Sequence, residues 1–200
     1  MTWVTTITNL IASPTYVAGA RFTDIHINLN EIYTKSSLDD NQIDGCSVAA
    51  AFAAGNHSLW NTILLEPVGN PSGYQLGTGT DLLAGIRAGA LATQQGVYQN
   101  FTFNYNGIKG LPDRLRKQYL ESNDVVAEDR FMSYMLSASL VESCNGCIVF
   151  YANALKDLGY SAEQIRDIAR VASVLKAASR IIPSYTAPSG GGGSGDGGGL

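Results

Sequence analysis

Long apolar runs, a second cysteine pair and any excess of positive charge are all missing from this chain, and each absence removes a class of protein. No window approaches the roughly 18 consecutive apolar residues that a membrane span requires. Residues 1–20 carry polar breaks at Thr5, Thr6, Thr8 and Asn9 and no basic leading segment, so no secretory signal is expected there. The cysteines number 3, and an odd count does not build a disulfide framework; a reducing, cytoplasmic compartment is the expectation. The formal net charge is −4, a poor starting point for a binder of phosphate backbones. The one basic cluster, Lys109, Arg114, Arg116 and Lys117, runs straight into Glu121, Asp124, Glu128 and Asp129. It reads as a solvated, mixed-sign surface, and no nucleic-acid or membrane partner is expected.

What is present is enough apolar material, 45% of the 200 residues, for one sizeable core. Period-two alternation is absent between residues 22 and 182, whereas apolar residues at 3–4 spacing recur, which predicts an all-α domain. Phe22, Ile25, Leu29, Ile32 and Tyr33 mark a first amphipathic helix. Ser and Asp caps in "SSLDDNQ" introduce a second over 40–54, rich in small residues, which ends at Gly55 and Asn56 and is followed by a short helix over 57–65. Residues 66–80 form a long Pro- and Gly-containing connection, then a small-residue helix covers 81–103. Pro112 is set to open a short helix over 112–121. Further helices are predicted over 128–142 and 144–158, with Gly159 closing the latter. "YSAEQI" supplies a capping box, Ser161 with Gln164, and a staple pair, Tyr160 with Ile165, for a last helix reaching about Arg180.

Three regions follow. Residues 1–21, rich in Thr and β-branched residues, are expected to be an extended arm or short strand. Residues 22–182 are the helical domain. Residues 183–200, with "SGGGGSGDGGG", are a flexible tail. The rhythm of "CSVAAAFAAGNHSLWNTIL" returns in "YMLSASLVESCNGCIVFYANAL", so the domain is expected to hold two similar helical halves.

The chemistry-bearing motif is Cys144-Asn145-Gly146-Cys147, between a helix end and a helix start. Unpaired N–H groups and the positive dipole end favour a thiolate there, and pairs so placed reach pKa values of roughly 3.5–7.5. One sulfur can attack a partner while the other resolves the adduct. Structural zinc would need two more ligands, and only Cys46, His26 and His57 remain, without paired spacing. A thioredoxin setting would need βαβ units. A redox couple and two inert core cysteines both stay open on the residues alone. Cys46 by itself reads as a small buried hydrophobe.

From Leu111 to Ile181 the sequence resembles the AhpD-type alkyl hydroperoxidases, of the carboxymuconolactone decarboxylase-like superfamily. The likeness is carried by Leu115-Arg116, Asn123, Val125, Phe131, Ser133, Ser137, Ser139, Cys144, Cys147, Gly159, Ser161, Glu163 and Ile165, and more faintly by residues from about 25 onwards. The resemblance implies an all-α fold of two similar halves and a homo-oligomer, commonly a trimer. It implies a Cys pair that cycles between dithiol and disulfide, reducing peroxide or passing electrons to a peroxiredoxin or other thiol partner, without a bound cofactor or metal. It also implies a Glu twelve residues before the first Cys and a His four after the second; here those positions hold Met132 and Tyr151. Cys144 and Cys147 are therefore the expected catalytic residues, with Tyr151 and Glu142 as auxiliary candidates; Glu128 and His57 are more distant ones. Two readings remain: a thiol–disulfide oxidoreductase of altered activity, and a catalytically degenerate subunit of a larger assembly, such as a virion or another multiprotein particle.

Overall fold

The computed structural model describes residues 2–12, 22–66, 81–108, 110–112, 114, 115 and 126–183. Among them the backbone forms α1 (Trp3–Ala12), α2 (Thr23–Thr34), α3 (Asp40–Ala53), α4 (His57–Leu65), α5 (Asp81–Asn104), a 3-10 turn at Asn106–Ile108, α6 (Glu128–Val141), α7 (Asn145–Asp157) and α8 (Ala162–Ile181), and no strand. The all-α expectation holds. No helix among the described residues is long and apolar enough to cross a membrane.

Helices α3, α5 and α6 pack against one another as the centre, with α8 laid over α3 and α6, and α7 folded back on α6. Small residues make the closest of these contacts. A Cβ on Gly85 would fall 2.5 Å from the Gly45 carbonyl oxygen, and one on Gly45 would fall 2.4 Å from the Tyr134 ring. Ala49, Ala50, Ala84, Ala88 and Ala92 line the same seam and are fully buried. Side chains of this size let two helix backbones approach closely and leave the larger Tyr134, Met135 and Leu136 to fill the remaining volume. The first turns of α6 are tied by charge. Arg130 bonds Asp81 at 2.9 Å and also Asp39, while the Tyr134 hydroxyl donates to Asp81.

The N-terminal arm is not extended where it is described. Trp3, Ile7 and Ile11 recur every four residues and are all buried, so Trp3–Ala12 is a helix packed on α2 and α4. Trp3 Nε1 donates to the buried Asp44 carboxylate at 2.7 Å. Burial of a helical stripe outweighs the β preference of the intervening threonines. The helix expected from Pro112 is also corrected at its start: Pro112, Arg114 and Leu115 are not helical, and Arg114 has φ 52°, which a right-handed helix does not accept. The rest of that segment, the connection over 67–80, the Gly-rich tail, and Lys109, Arg116 and Lys117 lie outside the described residues.

The internal echo is visible in the backbone. After α3, the Gly55 N–H donates to Phe52 O at 2.9 Å and the Asn56 N–H to Ala51 O at 3.3 Å; after α6, Ser143 N–H donates to Leu140 O at 3.2 Å and Cys144 N–H to Ser139 O at 3.1 Å. Gly55 and Ser143 both take left-handed backbone, with φ 69° and 56°. Asn56 then caps α4 and Cys144 caps α7, each accepting from the N–H three residues on. The two helix–turn–helix units share one corner geometry.

Candidate functional site

The corner between α6 and α7 places the cysteine pair at a helix N-terminus. Cys144 is the N-cap of α7, and its sulfur accepts from the Cys147 N–H at 3.4 Å. Cys144 and Cys147 are joined by a disulfide, with Cα atoms 5.3 Å apart. The pair is nearly closed to solvent, Cys144 at 1% and Cys147 at 7% exposure, while Asn145 and Gly146 between them are exposed. The Cys144 sulfur thus sits at the N-terminal end of α7, where the helix dipole is positive.

Glu142 and Tyr151 are both brought to this corner, and both lean on α5. Glu142 is the C-cap of α6, and its Oε1 accepts from the Thr93 hydroxyl at 2.8 Å. Room for it comes from Gly96, where a Cβ would stand 3.1 Å from the Glu142 Cβ. Tyr151 stands one helical turn after Cys147, buried, and its hydroxyl donates to Gln95 Oε1 at 2.9 Å. Burial pushes the phenol up to about 12, against a smaller lowering by Gln95. At neutral pH Tyr151 is thus a donor and not a base. Glu142 lies two residues before Cys144 in the chain.

Other candidates are not gathered here. Glu128 opens α6, roughly 20 Å along the helix from the cysteines. His57 starts α4 and packs edge-on to Trp60, with ring centroids 4.7 Å apart. Cys46 is free and fully buried, hydrogen-bonded weakly to the Ser133 carbonyl at 3.7 Å, and burial pushes its thiol up to about 12. It is inert packing. Among the described residues no three His, Cys, Asp or Glu side chains gather to hold a metal ion.

No family model matches the chain. Individual relatives do. The alkyl hydroperoxide reductase AhpD of Rhodospirillum centenum is 32% identical over 174 residues, which cover 86% of this chain and 89% of that protein. The chain belongs to the AhpD family. Proteins of the same name from Coxiella burnetii and Hyphomonas neptunium are 27% and 26% identical, over 79% and 82% of this chain and 88% of each relative. The all-helical architecture is the AhpD-like fold that the sequence led us to expect.

Within that family assignment, position 132, where the resemblance implied a glutamate, holds a half-buried Met on α6, and position 151, where it implied a histidine, holds the buried Tyr. Three residues of the site went unread in the sequence: Thr93, Gln95 and Gly96, all on α5. Their signal was a glycine inside an otherwise helical stretch, which marks a close approach by another element. Which element approaches is a long-range fact that the local pattern does not carry.

Proposed function

We propose that this chain is a thiol–disulfide oxidoreductase of peroxide reduction, with Cys144 and Cys147 as the redox couple. In the dithiol form, one thiolate attacks a peroxide oxygen, the O–O bond breaks and an alcohol leaves. The resulting sulfenic acid condenses with the second thiol, releasing water and forming the disulfide. A dithiol partner returns the couple to the reduced form, and a peroxiredoxin is a thiol partner to which the reduced couple can pass its electrons in turn. The observation that supports this most is the bonded pair at the capped start of α7, where a thiolate is stabilised. The alkyl hydroperoxide reductase names of the relatives support the substrate class. Glu142, held by Thr93, is the group we assign to proton transfer in place of the family Glu and His. A stripe of exposed Val97, Phe101 and Tyr105 at four-residue spacing on and just beyond α5 supports the expected homo-oligomer.

The test is alkylation rate against pH on the reduced chain, joined to peroxide consumption with dithiothreitol. One thiol is expected to react with an apparent pKa between about 3.5 and 7.5, and the disulfide to re-form on peroxide addition. Titration of both thiols above about 8.5, with no disulfide after mild oxidant, would remove the enzymatic reading and leave the degenerate assembly subunit.

A further inference from the structure

We infer that Gly146 determines which reductants reach the disulfide, by keeping the turn between the two cysteines open to a thiol carried on a polypeptide. This inference rests on the redox role proposed above.

The other glycines among the described residues have a reason inside the fold. Gly55, Gly110 and Gly159 take left-handed backbone. At Gly45, Gly85, Gly89, Gly96 and Gly107 a Cβ would meet another group at 3.1 Å or less. Gly146 has neither reason. Its φ is not positive, and a Cβ built there meets nothing within 4 Å. It sits in the first turn of α7. Nothing in this chain's own packing asks for it. What a side chain at Gly146 would occupy is the open space over the turn that joins the cysteines.

That space matters because the couple is otherwise covered. Asn145 and Gly146, between the two cysteines, are exposed. Val149 and Phe150, both 61% exposed, follow Gly146 at three and four residues and so border it on the same helix face. A small thiol needs little of this room. A cysteine within a polypeptide brings its backbone and its neighbouring side chains, which need bare backbone to approach and apolar atoms to rest on. The step served is exchange with a protein dithiol. A partner thiolate bonds to one sulfur of the couple, the Cys144–Cys147 bond breaks and the other sulfur leaves as a thiolate. The partner's second thiol then displaces the first, so the partner leaves as a disulfide and this chain as a dithiol.

The experiment compares two reductants on the oxidised full chain, dithiothreitol and reduced thioredoxin, for the natural sequence and for Gly146→Ala and Gly146→Val. Rates are read by acid quench, alkylation and mass. The added side chains point into open space, so both variants fold; circular dichroism checks this. The natural chain is expected to accept electrons from both reductants. In Gly146→Val the dithiothreitol rate stays within about twofold while the thioredoxin rate falls at least about tenfold, with Gly146→Ala between. Equal losses with both reductants, or none with either, overturn the inference. So does a natural chain that dithiothreitol reduces and thioredoxin does not. Peroxide consumption by the dithiothreitol-reduced natural chain is measured alongside. Its absence sinks the proposed function, whereas its presence with an unchanged thioredoxin rate in Gly146→Val sinks only the role of Gly146.

Discussion

Glu142 lies two residues before Cys144 and Tyr151 four after Cys147, and each is held by a different side chain of α5. The Tyr151 phenol, raised to about 12 by burial, holds its proton throughout the neutral range and spends it on Gln95. Replacing it with Phe removes one hydrogen bond to a half-exposed amide, worth about 0.5–1.5 kcal/mol of stability. It removes no group that titrates in the neutral range, so the pH profile of peroxide consumption there keeps its shape. Glu142, two residues before Cys144, accepts from Thr93 through Oε1. Glu142→Gln preserves the side-chain shape and that acceptor while removing the carboxyl to which we assign proton transfer. The expected loss at pH 7 is about 10²-fold in turnover, the lower end of what general acid–base assistance contributes. Steady-state rates for the two variants against pH check both statements. A Tyr151→Phe profile that changes shape while Glu142→Gln stays active would reverse the assignment.

Elements were legible in the sequence where their signals are local. Ser161 and Gln164 form the capping box that their spacing implies, with Gln164 N–H to Ser161 Oγ at 3.1 Å and Ser161 N–H to Gln164 Oε1 at 2.9 Å. The corner at Cys144 was equally readable, because a polar break between two apolar stretches fixes where one helix stops and the next starts. Helix α1 was misread because threonines obscured a buried four-residue repeat. The Asp81–Arg130–Tyr134 ties and the α5 wall of the site were not legible at all, since they join residues about fifty positions apart. The same holds for the pin between α8 and the α2–α3 connection. Asp167 is buried; that burial alone would raise its pKa, but the Ser37 amide and hydroxyl, at 2.8 Å each, and the Arg170 and Arg166 guanidinia outweigh it and hold the carboxyl at about 2. Its folded pKa is depressed, so this stabilisation is complete above the unfolded value near 3.9 and is lost as pH falls from there towards 2. Asp167→Asn is expected to lower stability by about 1.5–3 kcal/mol at pH 7, and to flatten the acid limb of stability against pH. Denaturant midpoints from pH 7 down to 3 test it; an acid limb of unchanged steepness would show that another group carries it.

Across the whole molecule, one corner geometry has been put to two uses. In the second half the N-cap is Cys144, and the capping atom is also one end of the disulfide. In the first half the N-cap is Asn56, whose carbonyl oxygen accepts from the Leu59 N–H at 2.9 Å while its amide donates to Ser179 O at 2.9 Å and Ile182 O at 2.6 Å. Asn56 is buried and so binds the end of α8 to the start of α4. The first corner ties the end of α8 to α4, and the second carries the disulfide. The two exchanges of residue type then have unequal costs. Cys144→Asn keeps a capping side chain and forfeits a very short disulfide loop, worth about 2 kcal/mol on the chain-entropy account. Asn56→Cys weakens a cap and leaves the Ser179 and Ile182 carbonyls, the latter buried, without their donor, about 3 kcal/mol. For a chain of this length that difference separates the melting temperatures of the two variants by about 2–4 °C, with Asn56→Cys the lower. Calorimetry of both variants measures it directly. If Cys144→Asn proved the more damaging, the cysteine corner would be holding the fold, and the division of labour between the two halves would not stand.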